Sequence, residues 1–106
     1  MRAQAVVNAA AVRDRPALLA RLRATLGRDG VHVTADLAAV PAAARAVLAA
    51  GPDVVFIGGG DGTFVRVLAA LDEAAAGRPL PALVPLPWGT GNGLARSVGV
   101  EATTVT

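Results

Sequence analysis

The residues best suited to chemistry lie in a glycine-rich turn at positions 58–63, with the sequence Gly-Gly-Gly-Asp-Gly-Thr. An apolar run at 54–57 precedes this turn and apolar residues at helical spacing follow it, which predicts a buried strand, a tight turn and the start of a helix. Glycines let a ligand approach the main chain, and a helix N-terminus presents free N–H groups and positive partial charge. The turn therefore indicates a phosphate-binding loop, and the alternative is a tight strand-to-helix turn without a ligand.

Two common phosphate-binding motifs do not fit this turn. A Walker A loop requires a lysine, and the turn contains none. In the dinucleotide-binding motif a third glycine belongs where Thr63 stands, and the motif follows the first strand of its domain. The turn at 58–63 follows the third predicted strand instead, so the dinucleotide motif fits poorly.

Asp61 makes the turn more informative. A carboxylate repels a phosphate unless a cation or a proton lies between them. If the turn binds phosphate, Asp61 indicates Mg²⁺ or a proton-accepting role. The alternative is that Asp61 caps the next helix, which stabilises a helix by about 0.5–2 kcal/mol. Thr63 has the same two interpretations, as a phosphate ligand or as a local cap.

A second glycine-rich turn occupies positions 87–93, with the sequence Pro-Trp-Gly-Thr-Gly-Asn-Gly. Its Thr90 hydroxyl and Asn92 amide either donate to a phosphate or ribose or close the turn. Trp88 is the only tryptophan, and it either packs over the sheet edge or stacks on a base.

Composition limits the class of protein. A chain of 106 residues with a net charge of +2 predicts one small domain, and a hydrophobic fraction of 54% excludes disorder. All ten basic residues are arginines, and because they are dispersed we expect no nucleic-acid partner. The absence of cysteine excludes disulfides, thiol catalysis and Cys-ligated zinc. Asn8 and Arg13 interrupt the apolar N-terminal residues too early for a signal peptide, and no apolar stretch is long enough to span a bilayer. We therefore expect a cytoplasmic protein, with peripheral membrane contact as the alternative.

The order of predicted elements indicates how the turns are positioned. Predicted strands at 5–7, 31–34, 54–57 and 82–84 alternate with helices that begin near Pro16, Pro41 and Thr63, and a short last helix is predicted at 94–98. This alternation predicts a doubly wound α/β fold with a parallel four-stranded sheet in the order 2-1-3-4 and helices on both faces. Such sheets bind ligands beyond the carboxyl ends of their strands, where Asn8, Thr34 and both glycine-rich turns fall. Asn8 and the turn at 58–63 should face one crevice, which favours the phosphate interpretation.

Residues 59–63 and 87–96 together resemble the nucleotide-binding domain of the diacylglycerol kinase family, which includes bacterial lipid kinases and sphingosine kinases. The first motif is shared with NAD kinases and phosphofructokinases, whereas the second is more specific. The resemblance covers nearly the whole chain and identifies 1–106 as a single ATP-binding α/β domain. In the family a C-terminal β-sandwich holds the lipid. We expect that domain to be absent here, and therefore expect the 106 residues alone to lack appreciable lipid kinase activity.

The resemblance implies an ATP-dependent phosphotransferase of phospholipid metabolism, which transfers the γ-phosphate of ATP, with Mg²⁺, to a lipid hydroxyl. Asp61 would act through the metal, directly or through water, or as a catalytic base. The residues implied to contact the nucleotide are Asn8, Thr34, Gly59, Gly60, Asp61, Gly62, Thr63, Arg66, Gly89, Thr90, Gly91 and Asn92.

Departures from the family pattern keep two alternatives open. Alanines at 9–11 replace the usual Pro and Ser-Gly, Val65 and Arg66 replace the Asn-Glu of bacterial members, and Gly93 replaces an acid found in many members. Arg66 resembles NAD kinases at this point, so an NAD-kinase-like enzyme is the first alternative. The altered residues after Asn8 and the expected absence of the second domain motivate the other, a non-catalytic nucleotide-binding module. A truncated sheet would also leave an exposed edge, which makes self-association an expectation.

Overall fold

A computed structural model describes residues 1–86 of the chain. The second glycine-rich turn, with Gly89, Thr90, Gly91 and Asn92, and the last predicted helix lie outside the described residues. Short 3₁₀ turns at Arg28–Gly30 and Leu37–Ala39 lead into a strand and a helix respectively. The regular elements, in chain order, are β1 (Ala3–Asn8), α1 (Ala9–Val12), α2 (Pro16–Leu26), β2 (Val31–Thr34), α3 (Val40–Ala50), β3 (Val54–Gly58), α4 (Asp61–Ala75) and β4 (Ala82–Leu86).

The four strands form one parallel sheet in the order β2-β1-β3-β4, as predicted. The register places Asn8 opposite Thr34 and Val7 opposite Gly58, so the carboxyl ends of β2, β1 and β3 are level. Gly58 in turn pairs with Leu86 at the end of β4. One rim of the sheet therefore carries Asn8, Thr34 and the glycine-rich turn.

Apolar side chains bury both faces of the sheet, since strand residues alternate between the faces. On one face α3 and α4 cover β1 and β3, and on the other α1 and α2 cover β1 and β2. The first cluster contains Val6, Val40, Ala44, Val47, Val55, Ile57, Val67 and Leu71. The second contains Ala5, Val7, Val12, Leu22 and Val31. The predicted doubly wound α/β fold is confirmed.

Several element boundaries differ from the sequence expectation, and three of the differences involve α1, α4 and β4. The alanines after Asn8 form the short helix α1, because the Asn8 side chain caps it by accepting the N–H of Ala10 at 2.8 Å. The helix predicted from Thr63 begins two residues earlier, at Asp61. Strand β4 continues through Pro85 to Leu86. Among the described residues β4 is the outer strand of the sheet, and a strand in that position tolerates a proline because it loses few sheet hydrogen bonds.

Within residues 1–86, no helix combines the length and the apolar character that crossing a bilayer requires.

His32 on β2 predicts a pH dependence of stability. Its Nε2 lies 2.7 Å from Gln4 Oε1. Burial lowers the pKa of His32 below its ordinary value of 6.5, and the nearby Asp29 carboxylate offsets this only in part. The unfolded chain therefore binds the His32 proton more readily, so the free energy of unfolding should fall as the pH drops below 6.5 and through the lowered folded-state pKa.

Urea unfolding followed by circular dichroism between pH 7.5 and 5 would measure this contribution. We expect a shallower dependence on pH in His32→Gln than in the parent chain. Equal slopes for the two proteins would contradict the assignment to His32.

Candidate functional site

The site is built where β1 and β3 end side by side. Because Val7 pairs with Gly58, the chain leaves β1 at Asn8 directly beside the turn that leaves β3. The Asn8 amide Nδ2 donates to Thr63 Oγ1 at 3.2 Å, across 55 positions of sequence. The structure thus brings together two of the predicted site residues. Asn8 is the last residue of β1, and Thr63 lies in the first turn of α4, which follows β3.

The Asn8 side chain is held at both ends. Its Oδ1 accepts the main-chain N–H of Ala10 at 2.8 Å, and its Nδ2 reaches Thr63. Because a main-chain N–H can only donate, the Ala10 contact identifies the oxygen of the Asn8 amide and leaves the amino group facing Thr63. Sequence reasoning missed this bridge, although an asparagine before three alanines is a typical N-cap pattern.

The N-terminus of α4 has no side-chain cap at its N-cap position, which is occupied by Gly60 with extended backbone angles. Asp61 is the first residue of the helix, so the cap position that the sequence allowed for Asp61 belongs to Gly60. Helix geometry leaves the main-chain N–H groups of residues 61–63 without intrahelical acceptors. Together with the helix dipole, these groups create a positive partial charge at the carboxyl rim of the sheet.

Gly59 and Thr63 are in direct contact. Gly59 has a φ of +152°, and a Cβ placed on it would lie 2.7 Å from Thr63 Cβ and 2.8 Å from its Oγ1. The Thr63 side chain therefore packs on the Gly59 main chain, and a larger residue at position 59 would displace it. Gly62 is different, because its Cβ position has no atom within 4 Å and the residue is exposed.

Thr34 lies at the same rim but faces inward. The residue is 4% exposed, and its hydroxyl donates to the carbonyl oxygen of Val7 at 3.4 Å. In this arrangement its hydroxyl is engaged by the protein itself. Arg66 is exposed in the second turn of α4. A nucleotide role for either residue stays a prediction.

Among the side chains that the structure describes up to Leu86, there is no group of three or more His, Cys, Asp or Glu that could hold a metal ion. Mg²⁺ commonly binds through one or two carboxylates together with substrate phosphates and water. A Mg²⁺ ion that arrives with a phosphate ligand therefore does not need a cluster of three protein ligands.

A cavity of about 390 Å³ lies at the opposite rim of the sheet, where the strands begin. Gly51, Asp53, Arg78 and Pro81 contribute to its lining. The Arg78 guanidinium is engaged with the carbonyl oxygens of Ala74 and Ala75 at the end of α4. Parallel α/β sheets bind ligands at the carboxyl ends of their strands, so the candidate site is the rim with Asn8 and Thr63.

The family model of the diacylglycerol kinase catalytic domain matches residues 2–106. No curated protein sequence matches the chain at a significant level. The family match spans the end of β1 and both glycine-rich turns, and it favours the lipid-kinase interpretation over the NAD-kinase-like one. The chain belongs to the diacylglycerol kinase catalytic domain family.

Proposed function

We propose that the chain is the ATP-binding half of a lipid kinase, which passes the γ-phosphate of ATP to a lipid hydroxyl when a second domain completes the cleft. The observation that carries this proposal is the open N-terminus of α4, which lies beside the linked Asn8 and Thr63 side chains at the carboxyl rim. Membership of a kinase family supports it. Acting on a lipid, the complete enzyme would be cytoplasmic and peripheral to a membrane.

Several groups of the chain are suited to a triphosphate. The main-chain N–H groups of 61–63 would donate to phosphate oxygens, and the missing side chain at Gly62 leaves that approach open. The Thr63 hydroxyl would add a side-chain donor, and Arg66 would place a positive charge one helical turn further on. ATP would supply the transferable phosphoryl group, and its Mg²⁺ would neutralise the charge that develops during transfer.

Asp61 follows the N-cap residue directly and is suited to a Mg²⁺ that is shared with the phosphates, either directly or through water. We therefore expect Asp61→Asn to weaken ATP binding about tenfold when Mg²⁺ is present, because one charge-assisted contact is lost. Without Mg²⁺ the same variant should bind ATP as well as the parent or better, because the carboxylate no longer repels the phosphates.

Titration calorimetry with ATP, with and without Mg²⁺, measures this reversal, and Trp88 fluorescence gives an independent signal. Asp72→Asn is the matched control, since Asp72 is an exposed acid in the last turns of the same helix. It should leave ATP affinity unchanged under both conditions. If the parent chain showed no saturable ATP binding, the proposed function would be wrong.

A non-catalytic nucleotide-binding module is the second candidate. It is favoured by one observation, namely that residues 9–11 of α1 are alanines and offer only main-chain donors. Transfer of radiolabelled phosphate from ATP to diacylglycerol, with a lipid-binding domain of the family supplied, distinguishes the two. ATP binding without transfer under those conditions would favour the module.

A further inference from the structure

We propose that Asn8 is a positioning residue that reserves the hydroxyl hydrogen of Thr63 for a phosphate oxygen of the nucleotide. This inference rests on the proposed function, because it concerns the same phosphate site. Asn8 would not need to touch the nucleotide itself. Its effect would pass through the hydrogen bond from Asn8 to Thr63, which links β1 to the first turn of α4.

The first step is that the Asn8 amide has one orientation. Its Oδ1 is held by the main-chain N–H of Ala10 at 2.8 Å, and that contact caps α1. An amide turned the other way would place two donors against each other at Ala10. The amino group of Asn8 is therefore directed at Thr63.

The second step concerns the hydrogen on Thr63. An amide amino group donates and does not accept, so Thr63 Oγ1 is the acceptor in the 3.2 Å contact with Asn8 Nδ2. The single hydroxyl hydrogen must then point away from Asn8. The hydroxyl is thus set as a donor toward its other surroundings.

The third step is that Thr63 cannot easily move away. Its side chain lies against the Gly59 main chain, close enough that a Cβ on Gly59 would overlap it. Thr63 is also half-buried and is the third residue of α4, beside the main-chain donors of the open helix N-terminus. A hydroxyl fixed there adds a side-chain donor to the main-chain ones.

A double-mutant cycle tests the inference. Asn8→Ser keeps an oxygen that can cap α1 but is too short to reach Thr63, and Thr63→Val keeps the side-chain shape without the hydroxyl. Calorimetry with Mg²⁺ and ATP would be run on the parent chain, both single variants and the double variant. Thr63→Val should weaken ATP binding about tenfold, and Asn8→Ser about threefold. In the Thr63→Val background, Asn8→Ser should have no further effect.

A purely structural role of Asn8 would not make the effects of Asn8→Ser and Thr63→Val on ATP affinity non-additive. If Asn8 only stabilised β1 and α1, Asn8→Ser would lower the urea midpoint, and any loss of ATP affinity would be equal in both Thr63 backgrounds. Either that additivity or an unchanged affinity in Asn8→Ser would overturn the inference. Thr25→Val, in an exposed position on α2, is the control for a Thr-to-Val change and should bind ATP like the parent. Absence of ATP binding by the parent chain would instead reject the proposed function, and this inference with it.

Discussion

Leu71→Ala is expected to lower the free energy of unfolding by about 2–5 kcal/mol, as large-to-small changes in a core usually do. Leu71 is completely buried in the cluster between α4, α3 and the sheet, with Val67 and Ile57 among the same residues. Truncation removes apolar contacts and leaves a cavity that the surrounding strands cannot fill. A domain of this size has a free energy of unfolding of about 5–15 kcal/mol, so the loss would be a large part of the total.

Urea denaturation followed by far-ultraviolet circular dichroism measures this effect. Val65→Ala is the matched control, because Val65 lies on the same helix but is 58% exposed. Its change should stay within about 0.5 kcal/mol, since it removes little buried surface. A comparable loss in both variants would contradict the orientation of α4 against the sheet.

The sheet order could be predicted because local signals and topology agree. Short apolar runs alternate with helical segments, and proline and glycine mark several of the boundaries between them. Parallel strands with right-handed crossovers then leave few arrangements. The order β2-β1-β3-β4 brought Asn8 beside the turn at 58–63, and the bond between Asn8 and Thr63 follows from that placement.

Details that depend on single contacts could not be predicted in the same way. The alanines after Asn8 carry no periodic pattern, so α1 depends on one cap from Asn8 and on the burial of Val12. Pro85 ends strands in most settings, but β4 pairs only with β3 among the described residues and continues past it. Thr34 was correctly expected at the end of its strand. The hydrogen bond from its hydroxyl to the carbonyl oxygen of Val7 could not be predicted, because it depends on side-chain packing.

Gly59→Ala should lower the free energy of unfolding by about 2–4 kcal/mol, because it combines backbone strain with overpacking. The residue has a φ of +152°, and the new methyl group would meet three atoms of Thr63 at 2.7–2.8 Å. Relieving this overlap would move Thr63 away from Asn8 or open the turn. We therefore also expect ATP affinity to fall at least about tenfold, because the Thr63 hydroxyl would lose its place.

Gly62→Ala is the matched change three residues away, and its effects on stability and on ATP affinity should differ from each other in sign. The new Cβ has no atom within 4 Å and the residue is already helical, so alanine should raise the free energy of unfolding by up to about 1 kcal/mol. If phosphates bind over the first turn of α4, the added methyl group would nevertheless obstruct them and weaken ATP binding. Calorimetry and urea denaturation on the two variants separate these effects. Unchanged ATP affinity in Gly62→Ala would show that the phosphates do not lie over this turn, even if the chain binds ATP elsewhere along the rim.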